Sequence, residues 1–387
     1  MRDENSDRII SSLIRDYYRR AVIDVDQVDK REFAYGTFES KIKMRHLSFG
    51  SIRELSRYLV DNAPPYLSYS SAYYEFPAGR PMEKKNWRGS ELVFDLDATD
   101  MDIPCKKEHS KGWICKICLE AVKSEAIKLI EDFLIPDFGF SESEMIINFS
   151  GNRGYHIHIN KEDVLGLDKN ERKQISDYIS GNGIDSEEIF PDSGKRGKRL
   201  IGPRPEEKGW PGKIAKNFVS KLNKGPEAMQ ALGMSKQMAE KLYKNRSLVE
   251  MGIRSGNWDM ISIKNKSEFW KDVLKKEAVI QSDRIDGNVT NDTSHLIRLP
   301  DTIHGETGLI AKRIGSLSEL HKFDPMRDAI AFEKGELSVC ANAEHELEIK
   351  GEVFGPYSGE EVVLPVYAAT YLYLKGLAHI INPTDIS

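Results

Sequence analysis

The stretch Glu91 to Thr99, E-L-V-F-D-L-D-A-T, constrains the fold more than any other part of the chain. Every second residue from Leu92 to Leu96 is apolar, and Asp95 and Asp97 share the opposite face, which predicts a strand anchored on a core. Carboxylates two residues apart on a strand lie roughly 7 Å apart, so they can share a divalent cation or hold a pair of them.

The alternative for these two acids is a solvent-facing position on an edge strand. Further acids at Glu91, Asp100 and Asp102 concentrate negative charge around them. Such a field costs free energy unless cations neutralise it, which favours a metal site.

Composition indicates an ordinary globular chain. Its 387 residues, 40% hydrophobic and 30% charged, are enough for one large or two ordinary domains. No run approaches the ~18 apolar residues of a membrane span, and M-R-D-E-N-S-D-R has no signal-peptide core, so a cytoplasmic location is expected.

Charge is unevenly distributed. The net charge is −5, yet the segment from Lys195 to Arg246 has fourteen Lys and Arg against four Asp and Glu. It is either a solvated helical face or a surface that binds phosphates.

Three of the four cysteines lie within fourteen residues. Cys105, His109, Cys115 and Cys118 have the spacing of a closed four-ligand zinc site. Reduced cysteines buried as small hydrophobes are the alternative, which the polar residues between them disfavour. Cys340 is expected to be an ordinary thiol.

The segment Met145 to Ile159 predicts a β-hairpin with a glycine-flanked turn. Ser150, Asn152 and Arg153 in the turn, with His156 beyond it, can donate hydrogen bonds to a triphosphate. An H-x-H pair alone is a weak signal, because strand histidines also serve as packing residues or metal ligands, and His158 fits either role.

Later residues supply further candidates. Asp286 precedes a glycine and is by itself most typical of a turn. Two-metal phosphoryl transfer usually needs a third carboxylate, however. Arg298 and His304 follow and can donate hydrogen bonds to phosphate.

The element pattern predicts an α/β (α+β) protein. Residues 1–204 and 279–387 are expected to form the main domain, with a zinc module at about 104–119. Residues 205–278 have helical spacing and few β-formers, which predicts a helical insertion. A strand is expected over 278–285, and a helix is expected over about 366–380.

Several motifs together resemble the catalytic small subunit of archaeal and eukaryotic DNA primases, more archaeal than eukaryotic in length. Besides the zinc loop they are V-F-D-L-D-A-T-D (93–100), F-S-G-N-R-G-Y-H-I-H (149–158), R-I-D-G-N-V (284–289) and H-L-I-R-L-P-D-T-I-H-G-E-T-G (295–308). They occur in the family's order over more than half of the chain.

The resemblance implies roles for individual residues. Asp95, Asp97 and Asp286 correspond to the family's metal-binding triad. The corresponding nucleotide-phosphate contacts and basic positions are Ser150, Arg153, His156, Arg298, His304 and, by a shorter match, Arg45. Three departures are His109 where eukaryotic members have cysteine, the uncharged L-S-Y-S-S-A-Y (67–73), and Glu306, which replaces a basic phosphate contact of many members.

The resemblance also implies a mixed-sheet catalytic domain with a zinc module and a variable helical subdomain. It implies catalytic Mg²⁺ or Mn²⁺, structural Zn²⁺, nucleoside triphosphate substrates that include both ribo- and deoxyribonucleotides, and a single-stranded DNA template. A heterodimer with the large primase subunit and a nucleoid-associated location follow from the same likeness.

Two other functions fit parts of the sequence. D-x-D-x-T at a strand end is also the nucleophile motif of haloacid-dehalogenase-type phosphatases, with Asp95 as nucleophile and Asp97 as general acid. The zinc loop, a hairpin where a helix should follow Ser150, and the lack of a downstream lysine and paired-acid motif oppose it. A non-catalytic zinc-bearing nucleic-acid module would leave the acidic triad without a purpose.

Overall fold

Runs of strands and runs of helices follow one another along the chain, and between Ile159 and Leu296 the described elements are all helices. The computed structural model describes residues 4–110, 112–183, 200–260, 263–281 and 285–385. The strands are β1 Phe33–Thr37, β2 Ser40–Leu47, β3 Tyr66–Ser70, β4 Ala72–Tyr74, β5 Trp87–Ser90, β6 Leu92–Asp97, β7 Met145–Phe149, β8 Gly154–Ile159, β9 Leu296–Arg298, β10 Arg313–Ile314, β11 Glu336–Ala343, β12 Leu347–Ile349, β13 Glu352–Phe354, β14 Tyr357–Pro365 and β15 Ala378–Asp385.

The α-helices are Glu4–Tyr18, Ile52–Asn62, Lys116–Lys128, Glu162–Leu165, Lys169–Ile179, Gly209–Lys224, Pro226–Gln230, Lys236–Lys244, Arg246–Arg254, Lys266–Gln281, Gly287–Asn291, Leu317–Lys322, Pro325–Asp328 and Val366–Leu374. A π-helical turn, Leu129–Leu134, continues one of them. The mixture of helices and small sheets confirms the predicted α/β class. Within the described residues, no helix is long and apolar enough to cross a membrane.

Two compact units make up the chain. The first contains Met1–Ile127, Glu142–Lys173 and Asp286–Ser387, and the second contains Lys128–Ser141 and Gln174–Ile285. The second unit includes all of the predicted helical segment 205–278 and packs around aromatic contacts among Phe218, Trp258 and Trp270. The boundaries of a helical insertion stay a prediction.

The strand expected at 278–285 is wrong for the part that the structure describes. Residues 278–281 are the last turn of the helix Lys266–Gln281, and 282–284 lie outside the described residues. A short run of apolar, β-branched residues such as A-V-I cannot be assigned to strand or helix by periodicity alone, and here it continues the helix that precedes it.

Two four-stranded sheets of the first unit carry the candidate site. Their strand orders are β10-β7-β8-β6 and β2-β1-β3-β9. The expected hairpin is confirmed, since β7 and β8 pair around the predicted turn, and β6 is confirmed as a strand whose Leu92, Phe94 and Leu96 are buried. A mixed sheet was expected, but every strand pair among the described residues is antiparallel, as short hairpin connections favour.

A buried polar network anchors the start of β6. The guanidinium of Arg31 pairs with the carboxylate of Glu91, and both side chains are 1% exposed. Tyr73 donates to Glu91 Oε1 at 3.0 Å, and His158 Nδ1 lies 2.8 Å from Oε2. Burial would raise the pKa of Glu91, but Arg31 and His158 lower it to about 2. His158 is therefore a packing residue of the core in this structure.

Candidate active site

Asp95 and Asp97 lie near and at the end of β6, at the edge of their sheet. In the antiparallel pairing with β8, Asp95 is opposite His156 and Asp97 is opposite Gly154. Asp95 Oδ1 lies 3.6 Å from His156 Nε2, and Asp97 Oδ2 accepts a hydrogen bond of 2.8 Å from Arg153 Nε. The strand register thus brings the two acids beside the turn of residues 150–153, which is predicted to bind phosphate and is called the phosphate turn below.

Asp286 reaches the same strand end from a distant part of the sequence. Its backbone N–H donates to the carbonyl oxygen of Asp95 at 3.1 Å. Its carboxylate accepts from the N–H of Asn288 at 2.8 Å and caps the short helix Gly287–Asn291. The three predicted acids are therefore neighbours.

Repulsion among the acids is strongest at Asp95. Burial first, and then the charges of Asp97 and Asp286, raise the pKa of Asp95 to about 7. Burial and the same two neighbours also raise the pKa of Asp100. Asp97 also accepts hydrogen bonds from Arg153 Nε and from the backbone N–H of Thr99, so one basic residue offsets part of the negative charge. The remaining acidic charge suits divalent cations.

The turn after β7 is closed by Ser150. Its backbone N–H donates to the Gly154 carbonyl at 2.9 Å, and its Oγ accepts from Gly154 N at 3.1 Å. Gly151 has φ 84°, and a Cβ there would lie 2.7 Å from the Cβ of His304. Glycine is required at this position because the turn packs directly against the His304 segment.

His304 is buried against the turn and is held in one tautomer. Its Nδ1 accepts from the backbone N–H of Glu306 at 3.2 Å, so the proton of the neutral ring is on Nε2. Burial, with the positive charges of Arg298 and Lys41, lowers the pKa of His304 well below its usual value. Burial also holds the pKa of His156 low. Both histidines are neutral donors.

Arg298 lies on β9, in the second sheet. Its guanidinium carbon is 4.8 Å from the centre of the Tyr66 ring, and the His304 ring contacts the same tyrosine edge-on. Burial lowers the pKa of Arg298 to about 10, and its Nε–H has no hydrogen-bond partner among the described residues. A half-buried guanidinium whose Nε–H is buried and open suits an anionic ligand.

Arg45 is the predicted site residue that the structure sets apart. Its Nε donates to Glu32 Oε1 at 3.0 Å, and Glu32 is fully buried. Glu32 is the main cause of the raised pKa of Arg45, and the charge of Asp292, which follows the helix Gly287–Asn291, adds to it. Arg45 therefore does not contact the phosphate turn.

Two lysines that the sequence did not single out are linked to Asn152, one directly and one through Glu306. Asn152 Nδ2 donates to Glu306 Oε2 at 3.0 Å, and Asn152 Oδ1 accepts from Lys375 Nζ at 3.1 Å. Glu306 also pairs with Lys41 at 2.8 Å. Neither lysine belongs to a motif, and only the fold brings them to the turn.

The predicted zinc ligands form one cluster. Cys105 Sγ lies 3.7 Å from Cys115 Sγ and 3.5 Å from Cys118 Sγ, and His109 Nδ1 is 3.9 Å from Cys118 Sγ. Tetrahedral zinc with Zn–S bonds of about 2.3 Å places neighbouring sulfurs about 3.8 Å apart. The four residues can hold zinc, with no ligand position left over for substrate.

Comparison with known proteins gives one consistent family. Residues 94–316, more than half of the chain, match the sequence model of the DNA primase small subunit. The DNA primase small subunit PriS of Methanothrix thermoacetophila is 34% identical, with 95% of this chain and 96% of that protein aligned. The protein of the same name from Methanosarcina acetivorans is 32% identical over 97% of each chain.

A more distant organism gives the same result. The DNA primase small subunit PriS of Pyrobaculum islandicum is 31% identical, with 96% of this chain and 99% of that protein aligned. These matches confirm the resemblance drawn from the motifs. The chain therefore belongs to the DNA primase small-subunit family and is a nucleotidyltransferase of DNA replication, the catalytic subunit of a primase.

Proposed function

We propose that the chain synthesises short primers on single-stranded DNA by two-metal nucleotidyl transfer at Asp95, Asp97 and Asp286. The observation that carries this proposal is the meeting of three acids with a donor-lined turn at the edge of one sheet. Two divalent ions, Mg²⁺ or Mn²⁺, would activate the attacking 3′-hydroxyl and stabilise the leaving pyrophosphate. The raised pKa of Asp95 supports it, because a bound divalent ion would stabilise a carboxylate that burial and the charges of Asp97 and Asp286 disfavour.

The residues of the turn would bind the incoming triphosphate. Arg153 is held beside Asp97, so it can bridge the acidic site and the phosphates. His156 and the Nε2–H of His304 are neutral donors, and Ser150 fixes the turn that presents backbone N–H groups. Arg298 adds a half-buried cation with an open donor. Such preorganised donors stabilise charge that develops on the phosphates during transfer.

The remaining parts have supporting roles in this proposal. Zinc at Cys105, His109, Cys115 and Cys118 would be structural, since four protein ligands leave no open position. The mainly helical residues 205–278 would form a subdomain inserted between two parts of the catalytic domain, and their basic surface is a candidate for template contact. A large primase subunit would be the partner, and the complex would act in the cytoplasm at the nucleoid. Arg45 would act at the periphery of the site.

One experiment tests the activity directly. The purified chain, with and without the large subunit, is incubated with single-stranded DNA, labelled nucleotides and Mg²⁺ or Mn²⁺. We expect new oligonucleotides that disappear in Asp95→Ala and Asp286→Ala. No product with the large subunit present, or a phosphorylated Asp95, would overturn the proposal, the latter in favour of a phosphatase.

A further inference from the structure

Lys375 comes to the phosphate turn from the end of a buried helix near the carboxyl terminus of the chain. Every residue of the helix Val366–Leu374 is buried, which fixes the position of the lysine that follows it. Its Nζ donates to Asn152 Oδ1 at 3.1 Å and to the carbonyl oxygen of Gly112 at 3.3 Å. Lys375 thus joins the phosphate turn to the loop that carries the cysteine cluster.

The charge of Lys375 is not neutralised by an ion pair. Within the described part of the chain, the structure records no carboxylate in ion-pair contact with Nζ. The two acids that act on it electrostatically, Glu306 and Asp97, are paired with Lys41 and Arg153 respectively. An ammonium group has three N–H donors, and the two contacts above use two of them. The third N–H of this partly buried ammonium group is open to a ligand, and a phosphate oxygen is a strong acceptor for it.

The electrostatic surroundings of Lys375 are those of the phosphate turn. Burial lowers its pKa, Glu306 opposes this, and the positive charges of Arg153 and Lys41 add to the lowering, which brings the pKa to about 8. Lys375 and Lys41 in turn contribute to the low pKa of His304. Lys41 and Arg153 therefore act electrostatically on both Lys375 and His304, and a polyanion bound beside these four residues would favour their charged forms.

We propose that Lys375 is a phosphate-binding residue of this enzyme, with its ammonium group directed at the polyphosphate of the incoming nucleotide. The inference rests on the proposed triphosphate role of the turn and adds a residue to it. Asn152 acts as a positioning residue in this arrangement, because its amide oxygen orients the ammonium while its amide nitrogen is held by Glu306. A purely structural lysine, which only ties the two loops together, is the competing explanation.

Two substitutions separate these explanations. Lys375→Gln keeps an N–H donor for the Gly112 carbonyl but removes the charge, whereas Lys375→Arg keeps the charge. Lys334→Met, at an exposed position just before β11, is the control for loss of one positive charge. Equilibrium binding of a nucleoside triphosphate and of the corresponding monophosphate is measured for each, together with the KM for nucleotide, kcat and the melting temperature.

We expect Lys375→Gln to weaken triphosphate binding and raise the KM about tenfold or more, with monophosphate binding and kcat changed less than threefold. Lys375→Arg should restore most of the triphosphate affinity, and Lys334→Met should match the wild type. Equal effects on both nucleotides, or wild-type KM in Lys375→Gln, overturn the inference. If Lys375→Gln does not fold, a tenfold loss of triphosphate affinity in folded Lys375→Arg refutes it instead. Absence of primer synthesis by the wild type would count against the proposed function itself.

Discussion

The backbone N–H of Asp286 donates a hydrogen bond to the carbonyl oxygen of Asp95, across 191 residues of sequence. Because the bond joins backbone atoms of two segments of the chain, it does not depend on either carboxylate. The side chains of the triad can therefore be changed while the two segments stay in place, which makes the site well suited to charge-removing substitutions.

Asp286→Asn is expected to separate catalysis from stability. Asparagine is as good a helix cap as aspartate, so the cap on Gly287–Asn291 survives, but the proposed metal ligand is lost. We expect primer synthesis to fall by at least a hundredfold with a melting temperature close to that of the wild type. Asp286→Ala should lose the same activity and also about 1 kcal/mol of stability with its cap. A substantial rate in Asp286→Asn would remove Asp286 from the proposed triad.

Asp95→Asn is expected to stabilise the protein while it inactivates the enzyme. At neutral pH the wild type pays for ionising a carboxylate whose pKa is raised to about 7, and asparagine has no such cost. We expect a gain on the order of 1–3 kcal/mol at pH 8, measured by denaturant unfolding without Mg²⁺ or Mn²⁺.

The pH dependence of that gain has a definite sign. Between the unfolded value of 3.8 and about 7, the folded wild type holds a proton at Asp95 that the unfolded chain releases, so acid stabilises the wild type. The advantage of Asp95→Asn should therefore shrink steadily as the pH is lowered from 8 toward 4. A constant difference across this range would show that charge repulsion is not its cause.

Glu306→Gln is expected to improve nucleotide binding. Glu306 places a negative charge beside the turn, where it pairs with Lys41 and accepts from Asn152. Removal of that charge leaves two lysines available to the phosphates, so the KM for nucleotide should fall severalfold and depend more steeply on salt. Glu348→Gln, which removes the partner of Lys116 elsewhere, is the matched control. A higher KM in Glu306→Gln would mean that Glu306 mainly keeps Asn152 in position.

Zinc content should depend on His109 and not on its neighbour His345. The His345 ring lies 5.9 Å from the His109 ring, and its Nε2 accepts from the backbone N–H of Ser110. We expect one zinc per chain in the wild type, in His345→Ala and in His109→Cys, and a large loss in His109→Ala, measured by metal analysis after dialysis. Full zinc in His109→Ala would rule out His109 as the fourth ligand.

A substitution in the buried ion pair of Arg31 and Glu91, outside the proposed active site, is expected to change the stability of the fold. Glu91→Gln would leave a buried guanidinium without its counter-charge, at a cost of about 3–5 kcal/mol. Because the pKa of Glu91 is lowered to about 2, its contribution is present above its usual value of 4.5 and is lost as the pH falls toward 2. Acid unfolding monitored by circular dichroism should therefore be steeper in the wild type than in Glu91→Gln.

Much of the site was predictable because its signals are local. The alternation in β6 and the glycine-flanked turn between β7 and β8 specify a strand and a hairpin by the spacing of a few residues. The cysteine cluster is local as well, with all of its ligands within fourteen residues. Asp286 has no such local signal, since D-G by itself indicates a turn; it was singled out because two-metal transfer needs a third carboxylate and because of the resemblance.

Lys375 could not have been found in this way. The helix before it is buried on all sides, so no amphipathic pattern marks a face, and the helix was expected to run to about residue 380. Instead it ends at Leu374, and Gly376, with φ 76°, turns the chain into β15. Tertiary packing brings Lys375 to the turn, and the spacing of residues in the sequence does not indicate it.

The long interval between Asp95 and Asp286 also has a consequence for biosynthesis. A ribosome that has made the carboxylate strand, the cysteine loop and the phosphate hairpin has still not made Asp286, which is residue 286 of 387. The acidic cluster is completed only when about three-quarters of the chain has emerged. With Asp286 in the proposed catalytic triad, a nascent or prematurely terminated polypeptide would be inactive until that residue is made, however well its first part has folded.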